Sequence, residues 1–160
     1  MAKRTAAAGS ALFFALAPGV MAGLVPWLLT GWDAYEMPFA LRVLGGLLTA
    51  AGAAFLVYAF ARFVGEGLGT PAPVAPPARL VVGGVYRWVR NPMYVAVIAT
   101  ILGQALLLGR WVLVEWALVF WAVTAAFVHW YEEPDLRERF GAEYEDYLRT
   151  VPGWLPRRPR

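Results

Sequence analysis

The chain has no cysteine and one histidine, and only 16% of its 160 residues are charged, against about 25% in ordinary soluble domains. Without cysteine there is no disulfide, no thiolate nucleophile and no cysteine zinc site, and the redox compartment cannot be inferred. A single histidine excludes a multi-histidine metal centre, so no metal is expected. No internal repeat is present. What the chain has in excess is apolar surface. Apolar residues make up 60% of it, including 8 Trp, 7 Tyr and 9 Phe, and the mean hydropathy is +0.54. Soluble domains carry roughly 45–50% apolar residues. The surplus suits a chain whose solvent is partly lipid, and the length allows one domain.

The apolar residues fall into four runs: 6–30, 39–63, 92–108 and 111–131. A spanning helix needs about 20 such residues. The expected fold is therefore an all-α integral membrane protein with about four transmembrane helices. A cytoplasmic loop is expected over 64–91 and a cytoplasmic helix and tail over 132–156. Lys3 and Arg4 precede the first run as in a signal peptide, but signal cores span only about 7–15 residues, so a retained helix is expected. Pro18 and Pro26 are expected to kink it. Gly45, Gly46, Ala50, Ala53 and Ala54 in the second run let helices approach closely in lipid. Gly65-Glu66-Gly67-Leu68-Gly69 has the outline of a nucleotide-binding glycine loop. It follows an apolar run with no strand and no βαβ unit around it, so a flexible loop is expected. Gly109-Arg110 is a tight turn that makes a hairpin of the third and fourth runs. Over 132–149 apolar side chains recur every three or four residues (Leu136, Phe140, Tyr144, Tyr147, Leu148), the pattern of one amphipathic helix.

Basic residues set the orientation. Lys3, Arg4, Arg62, Arg79, Arg87, Arg90 and six tail arginines lie on one side of this arrangement, whereas the opposite turns hold only Arg42 and Arg110. The positive-inside rule places both termini and the middle loop in the cytoplasm, with the helices in the cell (inner) membrane.

Two polar clusters stand out. Tyr86, Arg87, Arg90, Asn91 and Tyr94, with Pro92, open the third run. His129, Tyr131, Glu132 and Glu133, followed by Arg137 and Arg139, close the fourth. The hairpin brings those two ends together. Arg87 suits either a lipid anchor or a ligand contact. Pro92 fits the first turn of a helix, whose free N–H groups attract an anion, and Arg90 can add a bidentate contact to a carboxylate. Glu132 and Glu133 cannot both face one way on a helix. One is expected to face the site, to hold a cation or a ribose hydroxyl, or to take a proton. His129 is either a base, being the side chain that changes charge near neutral pH, or a buried hydrogen-bonded residue. Glu115 lies near the opposite interface with Arg110 as a candidate partner. Gln104 and Thr124 read as interhelical hydrogen bonders, and Arg157, Arg158 and Arg160 as contacts to anionic lipid.

Gly84-x-Tyr86-Arg87-x-x-Arg90-Asn91-Pro92-x-Tyr94 resembles a signature of the isoprenylcysteine carboxyl methyltransferase family and its bacterial relatives. Glu132-Glu133-x-x-Leu136-x-x-x-Phe140-Gly141-x-x-Tyr144-x-x-Tyr147-x-x-x-Val151-Pro152-x-x-x-Pro156 resembles the same family's C-terminal signature. The likeness covers about half the chain, from Leu80 to Pro156. It implies an S-adenosylmethionine-dependent methyltransferase within the membrane, acting on a lipophilic carboxylate, amine or thiol; the amine version resembles the phospholipid methyltransferases. By the resemblance Tyr86, Arg87, Arg90, Asn91, Pro92, Tyr94, Glu132, Tyr144 and Tyr147 bind the cofactor. Glu133, Glu132 and His129 serve the chemistry. Asn91 stands where the family usually has His. It can hydrogen-bond but cannot titrate, so a binding role is expected. Membrane lipids and a lipid or other lipophilic substrate are the expected partners, with no nucleic acid. The alternative is a non-catalytic assembly or lipid-binding protein that keeps the fold. A channel or transporter would carry ionisable residues at mid-membrane, and the helix centres here are nearly uncharged.

Overall fold

The structure, a computed structural model, describes residues 8, 9, 12, 16–67 and 77–159; every regular element among them is helical. The elements are α1 (Leu16–Thr30), α2 (Phe39–Gly67), α3 (Pro92–Leu108), α4 (Val112–Phe127), α5 (Glu133–Phe140) and α6 (Ala142–Thr150). A short 3-10 turn, Gly84–Arg87, precedes α3, and a wide π turn, Val128–Glu132, joins α4 to α5. Two helical stretches, Phe39–Gly67 and Val112–Phe140, are each 29 residues and apolar enough to cross a membrane. At a rise of 1.5 Å per residue each extends about 43 Å, beyond a hydrocarbon core of about 30 Å. Along α4 the large apolar side chains Leu118, Val119, Trp121 and Val123 are exposed, an arrangement that water penalises and lipid does not. The apolar helices α1 and α3 are shorter. Lys3, Arg4 and the start of the first expected span lie outside the described residues.

The chain divides into two compact units. One comprises Ala15–Val57 and Met93–Thr124. In it α1 is interrupted by a π turn, Val20–Leu24, for a reason visible in the sequence. Pro26 has no N–H to give, and the Val25 N–H is drawn back to the Val20 carbonyl. The carbonyls of Met21 and Ala22 thereby lose their usual helical donors. Side chains replace them: Trp116 Nε1 donates to Met21 O at 2.9 Å, and Gln104 Nε2 to Ala22 O at 2.6 Å. Gln104 is thus the interhelical bonder the sequence suggests. Thr124 is not, since its hydroxyl donates to Phe120 O of its own helix at 2.8 Å. Gln104→Leu removes a donor from a carbonyl in apolar surroundings. The expected cost is about 1–3 kcal/mol, read as a lower melting temperature in detergent.

In the same unit α2 and α3 meet backbone to backbone at Gly45, Gly52 and Gly103. A Cβ on Gly103 would lie 2.5 Å from the Thr49 amide nitrogen, and one on Gly52 2.9 Å from that of Thr100. Small residues are what permit such an approach in lipid. Arg110 closes the far end of this unit. Its Nη1 donates to Thr30 O at 3.2 Å and to Asp33 O at 3.3 Å, and its guanidinium lies 4.4 Å from the centre of the Tyr35 ring. These carbonyls and the ring, in place of Glu115, are its partners.

The other unit comprises Met1–Phe14, Tyr58–Pro92 and Ala125–Arg160. Here α2 continues through Gly67, so the first three residues of the expected glycine loop are helical; Leu68 and Gly69 lie outside the described residues. The single amphipathic helix expected over 132–149 is corrected to two. Gly141, with φ +52° and ψ −124°, breaks it, a conformation open essentially to glycine alone. The apolar stripe still collects on one side. Leu80, Tyr144, Tyr147 and Val151 form a buried cluster against Leu136, Phe140 and Leu148. The Arg137–Glu145 pair, 2.7 Å apart, spans the break.

Candidate functional site

All the close contacts described next lie within the second unit. The segment 77–91 runs as a strap from the end of α2 to the start of α3. Near its middle the buried Tyr86 is gripped from two sides. Its hydroxyl donates to Ala59 O at 3.4 Å, and its carbonyl accepts the Tyr147 hydroxyl at 2.7 Å. The strap ends on the C-terminal tail: Arg90 N donates to Pro152 O at 2.9 Å, and Asn91 N to Gly153 O at 3.2 Å. Asn91 Nδ2 adds a bond to the same Gly153 oxygen at 3.0 Å. The two amides just ahead of α3 are therefore already engaged, and Asn91 serves as a clamp in this geometry. Pro92 is buried at the first helical position.

The two polar clusters touch through Arg90 and Glu133. Arg90 Nη1 lies 3.2 Å from Glu133 Oε1, with the two side chains only 17% and 14% exposed. A pair this sheltered is held by charge-assisted hydrogen bonding, and either charge left alone would be costly. Arg90 Nε is buried and has no acceptor among the described residues. The π turn sets up this geometry. With no N–H on Pro134, the helix widens over Val128–Glu132, and the Glu133 N–H bonds Val128 O. Such turns recur at functional sites.

Tyr144 and Tyr147 pack beside this pair. Burial pushes the Tyr144 hydroxyl up to about 12, with the Glu133 and Glu132 charges adding and the Arg90 guanidinium opposing. Burial likewise raises Tyr147. Both phenols are therefore protonated at neutral pH, and the Tyr147 proton is the one given to Tyr86 O. Glu132 is half-buried.

The remaining candidates lie farther out. Arg87 is exposed. His129 is not buried; its imidazole is 72% exposed, and Nδ1 stands 4.0 Å from Glu133 Oε2. Tyr131 stacks on Phe127 at 5.0 Å. Tyr94 belongs to the other unit, where its ring meets Phe120 edge-on at 6.4 Å. The sequence reading missed the carbonyls of Pro152 and Gly153 as the strap's anchors, although both sit inside the C-terminal signature. It also missed Glu66, whose Oε1 accepts Val82 N at 3.1 Å and Gly83 N at 2.8 Å.

Two helices long and apolar enough to cross a membrane, in a helical chain that also holds a sheltered Arg–Glu pair, are the features of a membrane-associated helical protein. The model of one family, phospholipid methyltransferase, matches residues 39–143, about two thirds of the chain. The chain belongs to the phospholipid methyltransferase family. No curated protein matches it.

Methyltransferases of this kind draw on S-adenosylmethionine, and the residues present fit it. The orphaned Arg90 Nε suits the cofactor's carboxylate. A carboxylate here, Glu132 or Glu133, suits an ammonium or ribose hydroxyls. Tyr144 adds a donor, and both tyrosines add ring surface. Among the described residues no cluster of acidic, histidine or cysteine side chains could hold a metal ion.

Proposed function

We propose that this protein transfers a methyl group from S-adenosylmethionine to a lipophilic acceptor at the cytoplasmic face of the cell membrane. The family points first to the amine of a phospholipid headgroup. The observation that carries the reading is Arg90: a sheltered guanidinium paired on one edge with Glu133, its Nε without an acceptor among the described residues. All four apolar helices are read as spanning, with the strap and tail on the basic, cytoplasmic side.

Bound S-adenosylmethionine supplies a methyl already activated on a sulfonium. The chain's own task is then to position and desolvate. Arg90 holds a carboxylate, and Glu133 holds Arg90. Asn91, fixed by Gly153, keeps the start of α3 against the tail. Tyr144 and Tyr147 wall the site, and Tyr144 donates. An amine acceptor must shed a proton before it attacks, and Glu133, with His129 at its outer edge, is assigned that proton. A carboxylate acceptor would need no base.

Isothermal titration of the detergent-purified protein with S-adenosylmethionine tests this. Saturable binding in the micromolar range is expected. Well-folded protein that takes up no heat over that range overturns the proposal.

A further inference from the structure

We infer that Glu66 is a positioning residue for the Arg90 site: its carboxylate pins the Val82 and Gly83 amides to the end of α2 and thereby fixes where the strap delivers Tyr86, Arg90 and Asn91. Glu66 touches neither Arg90 nor Glu133 within bonding distance. It acts through the chain between them.

The geometry is specific. One oxygen, Oε1, receives two consecutive backbone N–H groups, at 3.1 and 2.8 Å. The other, Oε2, pairs with Arg62 Nη2 one helical turn earlier, at 3.1 Å. An Arg–Glu pair this exposed contributes little alone, so the stronger element is the carboxylate on the two amides. The glycine pair at 83–84 makes room for it. A Cβ on Gly83 would fall on Glu66 Oε2, with Arg62 Nη2 at 2.7 Å. A Cβ on Gly84 would stand 2.7 Å from Arg62 Nε, and Gly84 holds φ +55°, which glycine adopts without strain. Immediately downstream Tyr86 N bonds Gly83 O at 3.1 Å, and the Tyr86 ring packs on Phe63 of the same helix at 6.0 Å. The strap is thus fastened to α2 at Glu66, to α6 through Tyr147, and to the tail through Pro152 and Gly153. Releasing the first fastening frees the segment that carries Arg90.

The functional half of this inference rests on the methyltransferase reading, so the test has a readout that does not. Amide hydrogen exchange is measured on wild type, Glu66→Ala and Glu66→Gln in detergent, alongside titration with S-adenosylmethionine. In Glu66→Ala the Arg90 and Asn91 amides exchange about tenfold faster and cofactor affinity falls by about the same factor, the size expected when two backbone donors lose a charged acceptor. Glu66→Gln keeps an oxygen in reach of both amides and restores most of each. Unchanged exchange at Arg90 and Asn91, or no rescue by glutamine, overturns the inference. Should Glu66→Ala fail to fold, Glu66→Asp withdraws the oxygen by one methylene and reads the same quantities; wild-type values in it likewise overturn the inference. Absence of cofactor binding by wild type would sink the methyltransferase reading, while the exchange pattern would still decide the role of Glu66.

Discussion

Arg90→Ala leaves no measurable S-adenosylmethionine binding in a titration that saturates for wild type. The variant loses two things at once. The carboxylate of the cofactor loses its cation, and Glu133, only 14% exposed, is left as a sheltered charge without its partner. Removing one member of such a pair costs about 3–5 kcal/mol, enough to lower the melting temperature as well. A second substitution separates the two effects. Adding Glu133→Ala relieves the stranded carboxylate, so the double variant recovers part of the lost stability. It does not recover binding, because the guanidinium is still missing. Wild-type affinity in Arg90→Ala would show that the site lies elsewhere.

Gly45→Ala folds with a steeply lowered melting temperature and a reduced yield. A Cβ at that position would fall on the Leu107 amide nitrogen, with Gly103 O at 2.7 Å and the Leu106 carbonyl carbon at 2.8 Å. These are backbone atoms of a neighbouring helix and cannot rotate aside. Relief requires α2 and α3 to part along their contact, which undoes the Gly52 and Gly103 approaches too. Overpacking of this severity costs about 3 kcal/mol or more, a large fraction of the stability of a small domain. Gly46→Ala is the control. Its Cβ would meet only Leu107 Cδ1 at 3.7 Å, an ordinary contact, and a change of at most about 0.5 kcal/mol is expected. Thermal melts of the two variants in one detergent make the comparison; equal melting temperatures would refute the close-approach account.

The helices were legible because burial in lipid leaves long, unbroken apolar runs, and the meeting of Arg90 with Glu133 followed from a hairpin with polar residues at both open ends. Gly45 was legible as a small residue at a contact, whereas nothing in the sequence separates it from Gly46, since that distinction depends on which face α3 covers. The break at Gly141 was hidden because the spacing of Leu136, Phe140, Tyr144 and Tyr147 fits one helix, and an unusual backbone angle leaves no trace in periodicity. Glu66 was misread for a related reason. Flanking glycines suggest a loop, yet helix α2 runs through them once its carboxylate finds the amides of a segment 16 and 17 residues away. Interactions between main chain and distant side chains carry no sequence pattern of their own.

The wide turn over Val128–Glu132 gives this stretch slack in its length. It holds one residue more than an ordinary α-helix would need over the same turn. Deleting one of the five lets the turn close to normal pitch with the helix beyond still in phase, so Glu133 keeps facing Arg90 and the tyrosines of α6 keep their face. A deletion in the regular stretch before it, within Val112–Phe127, finds no such slack, and the side chains beyond rotate by roughly 100° about the axis. The turn is thus where a change of length leaves the phase of the site intact.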